Sequence, residues 1–256
     1  MWALAATIGL LGPARAAPPW VDPGSPDSGS GPLAVIVPQP GLRPMAYTEL
    51  ARTLEANGWS TVLMRLPTDP STLTTRTLPA VSRATADRPV LLVGHGYGGR
   101  AALGWSDLTS ATCAVALLGV PLVVRTTAWP TPLPQPGAHP DGLQLAHDPH
   151  TFWPLVQPGA HIPTSWLGHL SADWLAHIAE APAHPVTVPA HHPGWVAVAP
   201  LDELAPPETT GVLPSTTTFT RWGMLRGWRT DATTADLLTD TRPAAHLARW
   251  AHRSCA

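Results

Sequence analysis

Four short, unbroken apolar runs recur along the first half of the chain: LAVIVP (33–38), STVLMRL (60–66), PVLLVG (89–94) and CAVALLG (113–119). Each has the length of a strand and none alternates polar with apolar residues, which is the pattern of strands covered on both faces. Stretches with helical spacing lie between them. AYTELARTLEANG (46–58) ends on the helix stop Asn57-Gly58, a Thr-rich helix-compatible stretch leads to Asp87, and GRAALGWSDL (99–108) follows the third run. Strand, crossover helix and strand repeated in this way call for parallel pairing. The expected fold class is α/β, a mostly parallel sheet with helices on both faces.

With 256 residues, 44% apolar and 12% charged, the chain can bury one sizeable core and is too poor in charge to be disordered. Its formal net charge is −2 and its 15 basic residues are all Arg, so there is no basic face from which to argue nucleic-acid binding. The 32 Pro and 21 Gly cluster at the N-terminus and mid-chain, which points to long irregular insertions on a folded core.

Residues 1–17, MWALAATIGLLGPARAA, run apolar from Trp2 to Leu11, then meet Pro13 and the small-x-small pattern Ala14-Arg15-Ala16. This is the form of a secretory signal peptide. The run is too short for a permanent membrane span, which needs about 20 apolar residues. Residues 18–31, PPWVDPGSPDSGSG, read as a linker, and 32–256 as the folded domain. The expected location is outside the cytoplasm, periplasmic or extracellular. There the two cysteines can pair. Cys113 opens a strand and Cys255 ends a terminal helix, and in an alternating α/β fold strands begin where helices end; the alternative is a core thiol and a frayed tail.

The third run is followed by Gly94-His95-Gly96-Tyr97-Gly98-Gly99. Preceded by VLLV, this turn resembles the nucleophile elbow of the α/β-hydrolase fold family, the esterases and lipases, whose usual form is Gly-His-Ser-x-Gly-Gly. A dinucleotide-binding turn also fits, through Gly94, Gly96 and Gly99, but that fingerprint follows a first strand and precedes an acidic residue about 20 positions on. Here the order strand, Gly41 loop, helix, strand, helix, elbow is the hydrolase order. The flanking glycines are present and the nucleophile is not: position 96 is Gly.

The resemblance implies three further positions. Backbone donors for an oxyanion fall at Gly41 and Tyr97. GWVAVAPLDELAPP (194–207) is similar to the acid strand and loop, which puts Asp202 at the catalytic acid. DATTADLLTDTRPAAHLARW (231–250) is similar to a segment in which a catalytic His precedes x-Asp-Leu-Leu; aligning on Asp236-Leu237-Leu238 puts Thr234 there. A serine hydrolase needs a nucleophilic oxygen and an imidazole to take its proton. Gly96 and Thr234 supply neither. The nearby His246 lies inside the apparent terminal helix, which points to a surface or packing role.

Residues 121–193 form an insertion where this fold commonly carries a cap. PTSWLGHLSADWLAHIAE (163–180) reads as one helix, capped by Thr164 or Ser165, with Trp166, Leu170, Trp174 and Ile178 on one face. It either packs on the sheet or on its own insertion, or lines an apolar cavity. His139, His147, His150, His161, His169, His177, His184, His191 and His192 share the insertion but lack zinc-motif spacing, so no metal and no cofactor are expected. The favoured function is a catalytically degenerate hydrolase-fold protein binding a small apolar or ester-like ligand, or a protein partner. Two alternatives stand: an active ester hydrolase with its nucleophile elsewhere, at Ser106, Ser165 or Ser171, and an interaction domain with a collapsed cleft.

Overall fold

The computed structural model describes residues 20–21, 31–84, 88–106, 112–120, 164–166, 168, 170–180, 186, 192–198, 217–221 and 234–256. The residues read as a signal peptide, Asp202 and most of the 121–193 insertion lie outside these.

Among the described residues seven strands form one sheet: β1 (Trp20–Val21), β2 (Leu33–Val37), β3 (Ser60–Met64), β4 (Val90–His95), β5 (Thr112–Leu118), β6 (Gly194–Val198) and β7 (Thr217–Arg221), in the order β1-β3-β2-β4-β5-β6-β7. All pair in parallel except β1, which runs antiparallel to β3 with Trp20 opposite Met64. The four apolar runs are β2 to β5, as their composition predicts. Within the stretch 18–31, Trp20–Val21 extend the sheet at the open edge of β3.

Alternate residues of β2 face opposite ways. Leu33, Val35 and Val37 join one core layer, Ala34 and Ile36 the other. The first layer is closed by α2 (Leu78–Ala84), α3 (Gly96–Ser106) and α4 (Ala172–Glu180), the second by α1 (Thr48–Ala56), α5 (Thr234–Thr239) and α6 (Thr241–Ser254). The sheet is thus covered on both faces, which is why its strands carry no polar alternation.

Helix ends follow local chemistry. After α1, the Trp59 N–H reaches the Leu54 carbonyl (3.1 Å) and the Gly58 N–H the Glu55 carbonyl (2.9 Å), a Schellman stop at the expected Asn57-Gly58. Asp240 caps α6 by accepting from the Arg242 N–H at 2.9 Å. The helix expected over 163–180 is corrected: among the described residues of this stretch only a 3-10 turn (Thr164–Trp166) and α4 form. Gly168 donates its N–H to the Gly41 carbonyl (2.8 Å) instead of continuing a helix, and Ser171 accepts from the Trp174 N–H (3.2 Å), so Ser171 is the cap in place of Thr164 or Ser165.

Cys113 and Cys255 form a disulfide, joining the start of β5 to the end of α6. Among the described residues no helix is long and apolar enough to cross a membrane.

Candidate functional site

Strand β4 passes into α3 without an intervening residue, and the chain turns at Gly96 with φ of +53°. That left-handed conformation is unfavourable for any residue with a Cβ. The neighbouring glycines serve close packing: a Cβ on Gly94 would fall 2.5 Å from Gly99 Cα, and one on Gly98 would fall 1.8 Å from the Pro38 carbonyl oxygen. The start of α3 is therefore pressed against its own strand and against the end of β2.

The loop after β2 is a tight turn, Gln39-Pro40-Gly41-Leu42, in which the Leu42 N–H donates to the Gln39 carbonyl at 3.2 Å. Pro40 in the second position and Gly41 in the third, with φ of +84°, are the residues a type II turn demands. The turn holds the Gln39 side chain over the elbow. Gln39 Oε1 accepts from the Tyr97 N–H at 2.7 Å, and a Cβ on Gly96 would lie 1.8 Å from that same oxygen.

Behind Gln39 runs a short buried chain of hydrogen bonds. The Gln39 N–H donates to Tyr47 Oη at 2.6 Å, and the same hydroxyl shares a hydrogen bond of 2.8 Å with His95 Nδ1. Burial pushes its pKa down to about 3 and raises that of Tyr47, keeping both neutral. Among the described residues His95 Nε2 and Gln39 Nε2 are buried without a hydrogen-bond partner. An imidazole this buried and this weakly basic is a poor proton acceptor for chemistry in water.

No protein-family model matches the chain, and no curated protein is similar to it in sequence. Solved structures similar to it include the monoacylglycerol lipase of Paleococcus ferrophilus, with a TM-score of 0.59 and 14% identity over 88% of this chain and 96% of that one. An α/β hydrolase fold protein from Nakamurella multipartita has a TM-score of 0.57 and 12% identity over 89% and 93%. A pyrethroid hydrolase, PytH, has 0.55 and 15% over 87% and 98%. The chain has the α/β-hydrolase fold.

Of the positions that the hydrolase resemblance singles out, the structure brings together Gly96 and Tyr97, with Gly41 in the turn that carries Gln39. Thr234 is the first residue of α5, two positions before Asp236. Asp202 lies outside the described residues. His246 lies with its ring centre 6.1 Å from that of Trp195 on β6, a packing contact, one of the two roles expected of it. Gln39, Tyr47 and His95 are additions to the sequence reading. The signal for Gln39 was available only as its place, two residues before Gly41, in the loop where the hydrolase fold keeps an oxyanion donor.

Above the turn opens a cavity of about 340 Å³, lined by Gln39, Gly41, Met64, Leu66, Ser171 and Trp174. It sits outside the carboxyl ends of β2 and β3, the side on which α/β sheets bind ligands. Its far wall is anchored: Ser171 Oγ donates to the Thr68 carbonyl and Trp174 Nε1 to the Pro67 carbonyl at 2.7 Å. Among the described residues no group of three or more His, Cys, Asp or Glu is placed to hold a metal ion.

Proposed function

We propose that this protein is a pseudo-hydrolase: an exported α/β-hydrolase-fold protein that no longer cleaves esters and binds a small apolar or ester-like ligand in its cleft. The observation that carries this reading is Gly96 at the elbow, where no side chain can attack and the space a nucleophile would need holds the Gln39 carboxamide. Thr234 at the position assigned to the base, and Asp202 as a leftover acid, complete the degenerate triad. The open cavity of about 340 Å³ favours ligand binding over a collapsed interaction domain. Hydrolase names among the structures of similar fold suggest ester-like molecules as the first to try.

Among the serine alternatives, Ser171 has a structural occupation. Ser171 is 2% exposed, with its hydroxyl bonded to Thr68 and to the end of α4. Ser165 lies on an exposed 3-10 turn and Ser106 closes α3. Export is supported by the leader-like residues 1–17 and by the Cys113–Cys255 disulfide, which persists in oxidising compartments.

The test is hydrolysis of short- and medium-chain nitrophenyl esters by the purified protein, with and without a serine-reactive fluorophosphonate. A rate equal to the buffer blank is expected. Turnover that the phosphonate abolishes would overturn the proposal and mark the labelled serine as the nucleophile.

A further inference from the structure

In a serine hydrolase the N–H after the nucleophile holds the substrate's carbonyl oxygen, and the nucleophile stands beside it. Here one side chain covers both places. Gln39 Oε1 is 2.7 Å from the Tyr97 nitrogen and would stand 1.8 Å from a Cβ at position 96. The amide's orientation is fixed by the donor it meets, since turning Nε2 toward Tyr97 would set two donors face to face. Among the described residues the Tyr97 N–H is the carboxamide's one hydrogen-bond partner, and the residue is 2% exposed.

We propose that the Gln39 carboxamide is a resident occupant of the acyl-binding position, so that Gln39 together with Gly96 closes the cleft to ester carbonyls and leaves it to ligands held by their apolar parts. The inference rests on the ligand-binding reading above and names its ligand class. An incoming carbonyl would replace one acceptor on Tyr97 by another of the same strength and would displace a buried amide, so it gains nothing there. A ligand whose apolar body fills the space among Met64, Leu66 and Trp174, with its polar end at the exposed Arg65, leaves Gln39 in place.

The chain has only two tyrosines, so protein labelled with ¹⁵N-tyrosine shows two backbone amide signals, told apart by Tyr47→Phe. Gln39→Ala deletes a group the size of acetamide. Acetamide is expected to shift the Tyr97 signal and raise the melting temperature of Gln39→Ala while leaving the unmodified protein unchanged. Gln39→Leu keeps the bulk and removes the acceptor, and Tyr97 amide exchange should accelerate about tenfold; unchanged exchange in that variant overturns the occupancy, whether or not the alanine variant folds. In the unmodified protein, 1-octanol and methyl octanoate should bind alike with the Tyr97 signal still. A Tyr97 shift with the ester alone overturns the proposal. Failure of both to bind overturns the ligand-binding reading and the ligand class with it, while the exchange rate in Gln39→Leu still decides whether Gln39 fills the acyl position.

Discussion

Gly96 meets two requirements together, a left-handed backbone and room for another residue's amide. Gly96→Ala should lower unfolding free energy by about 1 to 3 kcal/mol from backbone strain, with more lost because Oε1 must move. In a Gln39→Ala background only the strain remains, and a double-mutant cycle by urea denaturation should show the difference as coupling. For the same reason Gly96→Ser with Thr234→His should give no esterase activity above background until Gln39 is also shortened, which nitrophenyl acetate assays of the double and triple variants would check. His95 sets a pH dependence. The unfolded chain takes up a proton at this residue below about 6.5, while the folded chain resists until about 3, so acid favours unfolding between those values. The slope should be roughly 1.4 kcal/mol per pH unit, and it should flatten in His95→Gln, as read from urea midpoints across pH. Gly96 was legible because glycines around a strand-to-helix turn form a compact local motif. Gln39 was not: a glutamine after a strand has no pattern, and its partner Tyr97 is 58 residues away.

Strands β2 to β5 and most helices were legible because burial on both faces leaves unbroken apolar runs, and Asn57-Gly58 punctuates α1 through a local hydrogen-bond motif. The break inside 163–180 was not legible, because it depends on a tertiary bond. Gly168 pairs with the Gly41 carbonyl, so the wall of the cleft is tied to the turn that positions Gln39. The same wall depends on Ser171, which caps α4 and holds the loop after β3 through the Thr68 carbonyl. Ser171→Ala removes both bonds and should cost about 1 to 2 kcal/mol, with amide exchange in α4 rising more than in α1. A uniform loss across all helices would show that Ser171 has no special part in fixing α4.

Across the whole molecule, the sheet order places the ligand-side loops of β2, β3 and β4 at one end, while the disulfide lies at the opposite end, where β5 begins. It closes a loop across a separation of 142 residues. The chain-entropy account assigns such a loop about 5 kcal/mol. Cys113→Ser with Cys255→Ser should therefore lower the melting temperature by on the order of 10 °C without altering Tyr97 amide exchange, because the bond and the elbow are at different ends of the strands. Calorimetry and the two-signal tyrosine spectrum would measure the two halves of that statement. The pairing also decides what a protease can accomplish. Everything from the start of β5 to the end of α6 is a covalent ring, so one cut anywhere within it opens the ring without releasing a fragment, and a nicked molecule keeps α6 chemically attached to the sheet it covers.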